Sequence, residues 1–532
     1  MPRKIIQAKV FPLLAVLALL CCTNKNSTKQ NTTKQDATKL FVMVVIDQLR
    51  GDELEKHKNL WQHGIKRLIQ EGQWYDNAMH GHARTETAAG HATLATGLHP
   101  KWHGIINKRI FLPGPGKAVS ICDWGDTPCT PDALLEPTLG DRLKALHPEA
   151  KVISLAQKDR SAMLMGGHHS DIVAWMSHDK PALVGRTNGR PGVPAWLNKA
   201  YQEIVKPENM PKVWPSSKLP EPYKSIPDIR EDEVDIGLGL TFPHKLPASL
   251  IDEAPPWAWF YTPYADEALL ELGLLAAQKM ELGKDDIPDL MLISFSVVDT
   301  VGHAFGPGSQ ERIETLISLD KTLGTLLDAL DKQTNGKLMV ALSADHGVAP
   351  LPAAAREEGL KSGRIKAEEL IERMDKALEQ NFGQGPHVQA IVDPYIFLKS
   401  KEPHQMAKAI NIAAQALEAH PEIHRATPTY RLENMQEDEL SRLMLENSHS
   451  VRSGHIMFVP EPYFSMSHRH RKSAGANHGT PWPYDRHVPA ILWGNGIQAK
   501  RSNAPVLVID LIRTFSDYLG LEVDKRGGQP LP

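Results

Sequence analysis

Cysteine is scarce: the 532 residues hold four, two of them adjacent at Cys21-Cys22 and only Cys122 and Cys129 in the body of the chain. No cluster of thiols exists, which excludes a thiolate metal site and leaves histidine and carboxylate as the available ligands. A surplus of charge is missing as well. The formal net charge of −3 gives no global drive toward nucleic acid or acidic membranes, so any anion must be recognised locally. The chain shows no internal repeat and no low-complexity tract beyond its N-terminal stretch. Its tryptophans read as core and cap packing, not as a base-stacking platform.

That N-terminal stretch is a targeting segment. Arg3, Lys4 and Lys9 precede an apolar run at residues 11–20, too short to span a bilayer. Cys21-Cys22 follows at once, then a polar run at residues 23–38. The arrangement resembles a bacterial lipoprotein signal, with residues 1–22 as signal peptide, Cys21 or Cys22 as the lipidated residue and residues 23–38 as a tether. An ordinary cleaved secretory peptide and a retained anchor are the alternatives. All three export the protein, and a periplasmic location is expected. That compartment permits a disulfide between Cys122 and Cys129.

At 532 residues the chain can hold one large α/β domain with insertions, or two to three domains. From Leu40 onward, apolar runs alternate with amphipathic ones. Strands are expected at residues 40–46, 151–156, 290–298, 338–343 and 490–493, and helices at 59–71, 136–146, 265–282 and 310–330. This alternation predicts an α/β fold with a doubly wound, mostly parallel sheet. Two segments break the rhythm. Residues 205–260 are dense in proline and read as a long surface excursion. Residues 351–475 carry expected helices at 366–380 and 405–419 and strands at 394–398 and 455–459. They read as an inserted subdomain capping the mouth of the sheet, with 39–350 and 476–532 as the core.

Four expected strands run into polar residues that carry chemistry. Residues 338–343 lead into Asp345-His346, a carboxylate beside an imidazole. Residues 40–46 lead into Asp47, residues 290–298 into Asp299 with His303 four positions on, and residues 151–156 into Lys158 and Arg160. In open parallel α/β sheets the ligand crevice lies outside the carboxyl ends of the strands, so these distant residues converge. Each alone has a plainer explanation, as a turn aspartate or a surface histidine; His478, in Asn477-His-Gly-Thr-Pro481, is by itself a loop histidine. Jointly they stand where the fold delivers ligands. They divide into Asp299, His303 and His478 as one three-ligand zinc site, and Asp47, Asp345 and His346 as another, with Thr87 Oγ in its fourth position.

Thr87 lies in Arg84-Thr-Glu-Thr-Ala-Ala-Gly-His-Ala-Thr-Leu94, where a loop turns into a small-residue helix expected at 88–95. Unsatisfied N–H groups at a helix start favour an anion, and a metal there would hold the nucleophilic alkoxide form. The plainer reading of Thr85 or Thr87 is a helix N-cap. Two metals about 4 Å apart clamp the attacking and leaving oxygens of an in-line displacement at phosphorus.

Val45-Ile-Asp47, the run from Thr87 to Gly97 with His103-Gly-Ile105, Ser296-Val-Val-Asp-Thr-Val-Gly-His-Ala-Phe-Gly-Pro307 and Ala344-Asp-His-Gly347 resemble the alkaline phosphatase superfamily. Within it they are similar to the type I phosphodiesterase/nucleotide pyrophosphatase branch, and closest to the threonine-nucleophile (PafA-type) alkaline phosphatases. The resemblance runs from Leu40 to about Gly496. It implies two Zn2+ ions, a phosphothreonine intermediate on Thr87, and the ligand roles given above. One departure stands out. The family holds a phosphoryl oxygen with an Asn that follows His-Gly-Ile after two further residues. That register gives Lys108 here, with Asn107 one step earlier. Asn107 is read as the substrate contact, with Lys108 as the alternative.

Lys158-Asp-Arg160 is similar to the Lys-x-Arg element that PafA-type monoesterases place over the phosphoryl group. A monoester dianion has more anionic oxygen to neutralise than a diester, so two cations favour monoesters. The expected activity is a zinc-dependent alkaline phosphatase acting on small-molecule phosphate monoesters, without a nucleic-acid partner; the sequence leaves the oligomeric state open, with a monomer favoured. The alternative is a phosphodiesterase or nucleotide pyrophosphatase using the same metals. A sulfatase would need Cys or Ser in a Cys-x-Pro-x-Arg context, which Thr87-Ala-Ala-Gly90 does not supply. A non-catalytic lipoprotein on a decayed enzyme fold would have lost ligands, and none is missing. His80, His82, His99, His103, His168, His169, His468 and His470 are not expected to be ligands; His91 and His103 read as supports of the nucleophile helix.

Overall fold

The computed structural model describes residues 37–112, 116–123, 130–216, 219–246, 256–467, 475–522 and 524–532. The leader, the tether up to residue 36, Cys129 and with it the Cys122 pairing, His468 and His470 lie outside the described residues.

Seven consecutive apolar residues, Leu40–Ile46, are all buried. A strand apolar on both faces belongs in the middle of a covered sheet, and that is where it lies. Asp289–Phe295 and Leu338–Ser343, equally buried, flank it in parallel, with Leu40 opposite Asp289 on one side and Leu338 on the other. Val152–Ala156 and then Ile172–Met176 continue the parallel series beyond Asp289–Phe295. Helix Gln310–Thr334 packs on Gly64–Glu71 and Pro263–Lys279, while Thr87–Thr96 packs on Asp159–Gly166 and Val508–Tyr518. The strand ends Ile46, Ser343, Phe295 and Ala156 therefore point the same way, as the doubly wound reading requires.

Three details differ from the sequence reading. The strand expected at 490–493, which spans His487–Gly494, does not close a parallel series; it runs antiparallel to both Leu338–Ser343 and Gln73–Met79. The preceding loop explains this. Gly347 N–H donates to Asp485 O at 2.8 Å, so the chain returns from the insert at the end where Asp345 leaves and must enter the sheet from there. The strand expected at 290–298 stops at Phe295, and Val297–Phe305 is a helix. Asp266 Oδ1 accepts the N–H groups of Ser296 (3.2 Å) and Val297 (3.5 Å), holding the turn that starts it. The helix expected from residue 59 begins only at Gly64, where Asp320 accepts from the N–H groups of Gln62, His63 and Ile65.

Residues 205–260 are less of an excursion than their prolines suggest. Val213–Trp214 pairs with His244–Lys245, and Trp214, Leu219, Ile236, Leu238 and Leu246 are buried in the main core. Residues 351–475 hold an antiparallel sheet in the order Val388–Val392, Tyr395–Leu398, Ile456–Pro460, Ile423–Pro428. Successive strand residues face opposite sides, and this sheet uses both. Ile396, Leu398, Ile456 and Phe458 join Leu370, Met374, Leu378 and Leu417 from the insert's own helices. Tyr395, Phe397, Met457 and Val459 join Ala83, Ile106 and Phe111 from the segments around Thr87 and Asn107.

Candidate active site

The strand ends bring the expected ligands into two clusters, Asp299–His303–His478 and Asp47–Asp345–His346, each with its ligand atoms within 4.8 Å of one another. Asp299 and His303 are one turn apart on helix Val297–Phe305, so both project from one helix face. His303 Nε2 is 3.3 Å and His478 Nε2 3.7 Å from Asp299 Oδ1. In the second cluster His346 Nε2 is 3.4 Å from Asp47 Oδ1 and 3.5 Å from Asp345 Oδ2. The His346 and His478 rings stack with centroids 3.6 Å apart, so the clusters are contiguous.

The three imidazoles share one tautomer for one reason. His303 Nδ1 lies 2.8 Å from Ala476 O, His478 Nδ1 2.9 Å from Thr85 O, and His346 Nδ1 2.9 Å from Gly347 O. A carbonyl oxygen only accepts, so each Nδ1 carries a proton and each Nε2 faces the carboxylates. That is the arrangement of a metal-ligating histidine. Asp47 Oδ1, Asp345 Oδ2 and His346 Nε2 are buried; Asp47 Oδ1 and His346 Nε2 have no hydrogen-bond partner among the described residues, and Asp345 Oδ2 meets His91 Nδ1 at 3.0 Å. Three such buried atoms in one cluster fit a divalent cation of borderline softness, and the N and O donors suit zinc.

Charge is concentrated here. Burial, reinforced by Asp299 and Asp345, pushes Asp47 up to about 7 against the pull of Lys158 and His346. Burial also opposes ionisation of Asp299 and Asp345. It is outweighed at Asp299 by His303, Lys158 and His478, and at Asp345 by His346 and His91, and both fall below the usual carboxylate range. Lys158 stands between the clusters and bonds Asp47 Oδ2 and Asp299 Oδ2.

Gln48 was invisible in the sequence and ties the clusters together. Its backbone N–H donates to Asp345 Oδ1 at 3.1 Å, and its side-chain amide donates to Asp299 Oδ1 at 2.7 Å. Arg312, fully buried, donates to Gln48 Oε1 at 3.1 Å and pairs with Glu53 at 2.7 Å. His91, expected to support the nucleophile helix, has Nδ1 2.8 Å from Thr87 O and Nε2 2.8 Å from Ser294 Oγ. His103 Nε2 meets Thr93 Oγ1 at 3.2 Å. His91 Nδ1 also lies 3.0 Å from Asp345 Oδ2, so His91 touches the second cluster from outside its ligand set, and His103 touches neither.

Thr87 is the first residue of helix Thr87–Thr96, with that helix's free N–H groups around it. The helix packs directly on the strand end that carries Asp345: a Cβ at Gly90 would lie 2.2 Å from Asp345 O. Thr87, Lys158, Arg160, Asp299, His303 and His478 line a cavity of about 420 Å³. Lys108, Glu86, His178, Phe260, Tyr261 and Thr300 complete its wall. Lys158 caps helix Asp159–Gly166 and Arg160 sits in its first turn, which carries both cations to the cavity. Asn107 is not among the residues that line this cavity. Its Nδ2 donates to Asp393 O at 2.5 Å and its Oδ1 accepts from Arg109 N–H at 3.3 Å, and Lys108 takes the wall position.

The family described as type I phosphodiesterase / nucleotide pyrophosphatase matches residues 41–483. The chain is 27% identical over 516 residues to the alkaline phosphatase PhoD of Zymomonas mobilis subsp. mobilis, covering 92% of this chain and 86% of that one. It is 25% identical over 517 residues to the alkaline phosphatase PafA of Elizabethkingia meningoseptica, with 91% and 92% covered. A crystal structure of wild-type alkaline phosphatase PafA superposes with a TM-score of 0.84 at 25% identity, covering 93% of this chain and 98% of that one. Murine ectonucleotide pyrophosphatase / phosphodiesterase 5 shares the fold, with a TM-score of 0.53 at 15% identity and 92% and 97% covered.

Proposed function

This chain belongs to the type I phosphodiesterase / nucleotide pyrophosphatase family, and from there we propose that it is a zinc-dependent alkaline phosphatase that hydrolyses phosphate monoesters through a phosphothreonine. The observation that carries the reading is the common tautomer of His303, His346 and His478, whose Nε2 atoms all turn toward carboxylates beside one helix-start threonine. Asp299, His303 and His478 would hold one Zn2+, and Asp47, Asp345 and His346, with Thr87 Oγ, the other. When bound, two such ions supply Lewis-acid stabilisation of the charge on attacking and departing oxygens.

The Thr87 hydroxyl releases its proton to solvent as Oγ bonds to phosphorus and the bond to the departing alcohol oxygen breaks, and that oxygen takes a proton from solvent as it leaves. Water then attacks the phosphothreonine; its oxygen bonds to phosphorus and loses a proton, the bond to Thr87 Oγ breaks, Oγ regains a proton, and inorganic phosphate leaves. Lys158, Arg160 and the N–H groups at the helix start hold the non-bridging oxygens. In this reading Lys108 is the third group within reach, ahead of Asn107 with its committed amide. Two cations at the phosphoryl group favour the dianion of a monoester, the basis for preferring phosphatase over phosphodiesterase. The charged and apolar leader supports a periplasmic enzyme, lipid-anchored through Cys21 or Cys22.

The test is kcat/KM for p-nitrophenyl phosphate against bis-p-nitrophenyl phosphate on zinc-loaded protein at alkaline pH. A monoester preference of several orders of magnitude is expected. A diester preference would keep the family and overturn the monoesterase reading.

A further inference from the structure

The segment that carries Thr87 is clasped to the loop that carries His478. Thr85 O accepts from His478 Nδ1 at 2.9 Å, Thr85 Oγ1 donates to Thr480 O at 2.8 Å, and Arg84 Nη1 donates to Gly479 O at 3.1 Å. Gly479 has φ +108, and a Cβ there would lie 2.7 Å from Arg84 Nη1. Glycine at 479 is what lets the guanidinium close on the loop.

Arg84 has partners on its other side. Its guanidinium pairs with Asp393 Oδ2 at 2.9 Å and Glu86 Oε2 at 3.3 Å, and its side chain is only 10% exposed. Asp393 belongs to the insert, at the turn between Val388–Val392 and Tyr395–Leu398. Asn447, also in the insert, accepts the Arg84 backbone N–H on Oδ1 at 3.0 Å and donates to Ile106 O at 3.3 Å. Together with the apolar face shared by Tyr395, Phe397, Ala83 and Ile106, these contacts make the insert a wall against which both loops are set.

We infer that Arg84 is a positioning residue for this site, holding the Thr87 segment and the His478 loop at one separation that the insert fixes through Asp393. The inference rests on the roles proposed above for Thr87 and His478. A guanidinium whose two Nη groups meet a carbonyl and two carboxylates in three chain segments leaves little freedom to any of them. Lysine offers no such fork and can satisfy only part of the set. Loosening the clasp releases Thr85 O from His478, and with it the ring orientation that aims Nε2 at Asp299. Sub-ångström misplacement of reacting groups costs turnover more than binding.

Arg84→Lys and Asp393→Asn test this with three readouts. In each variant kcat for p-nitrophenyl phosphate is expected to fall about 10- to 100-fold, with KM within about threefold. One zinc equivalent should leave at lower chelator concentration than in wild type. Amide hydrogen exchange should quicken in residues 84–87 and 478–480 but not in Leu40–Ile46. The double variant should lose no more than the worse single one, because the two residues act as one unit. Wild-type turnover and zinc retention in both variants, or faster exchange confined to the insert, would overturn the proposal. If Arg84→Lys does not fold, Asp393→Asn and Gly479→Ala decide with the same readouts. Were the wild type to bind no zinc and cleave no phosphate ester, the functional reading would fail while the exchange data still judged the clasp.

Discussion

Gln48 Nε2 lies 2.7 Å from Asp299 Oδ1, and the same residue's backbone N–H reaches Asp345 Oδ1 at 3.1 Å. One residue thus orients a carboxylate in each cluster. Its own side-chain oxygen is held by Arg312. Outer contacts of this kind set ligand orientation and basicity.

Replacing Gln48 by Ala should therefore weaken the hold on zinc by about 10- to 100-fold without removing any ligand. Competition with a chromophoric chelator measures it. Unchanged affinity would reduce Gln48 to a packing role.

Thr87→Ala should abolish turnover by several orders of magnitude and leave zinc content nearly intact, because the three ligands of each cluster remain. Thr87→Ser should keep part of the activity and, after acid quench with labelled substrate, carry the label on Ser. Wild-type protein quenched in the same way should carry it on Thr87. Normal turnover in the alanine variant would falsify the nucleophile assignment.

Lys158→Ala and Arg160→Ala should each lower kcat/KM for a monoester by about 100-fold or more and for a diester by under about tenfold. Equal losses on both substrates would mean that the cations serve the carboxylates around them instead of the phosphoryl group.

Asp266 offers a pH test on a group outside the two ligand clusters. It is fully buried; burial, helped by Glu267 and Asp47, raises it to about 8 despite the N–H groups of Ser296 and Val297. Its folded pKa lies above the unfolded one, so the folded protein keeps a proton that the unfolded chain releases across about pH 4 to 8. Stability from this group is complete below the unfolded pKa and is lost as pH rises through about 8. Urea unfolding of wild type between pH 5 and 9 should show a falling stability with a slope of at most about 1.4 kcal/mol per pH unit from this group. In Asp266→Asn that component should vanish, and an unaltered slope would sink the argument.

The parallel core was legible because its strands are apolar on both faces, and Leu40–Ile46 and Leu338–Ser343 stand where their residues put them. Asp47, Asp299, Asp345 and His346 were legible because each follows such a strand, and His303 because it stands four positions from Asp299; His478 lies in a loop and follows none. Asp299 illustrates the limit: Val297 and Val298 look like more strand, and only a carboxylate 30 residues away, Asp266, turns them into a helix. Gln48, Arg84 and Arg312 were illegible for a related reason. Their meaning lies in partners hundreds of positions distant, and an isolated glutamine or arginine carries no periodicity. Asn107 and Lys108 are adjacent, and which of them faces the cavity depends on a bond to Asp393 in the insert.

Gly90 fixes a tolerance. A single methyl at that position would lie 2.2 Å from Asp345 O, so the helix that carries the hydroxyl and the strand end that carries the ligand touch backbone to backbone, with no side chain between them. Where elements meet through Leu, Ile and Val, the side chains between them can repack by a few tenths of an ångström. This pair has no such cushion. The gauge of the reaction site is therefore set by van der Waals contact between two backbones rather than by side chains that can repack, and any residue larger than glycine at position 90 must widen it.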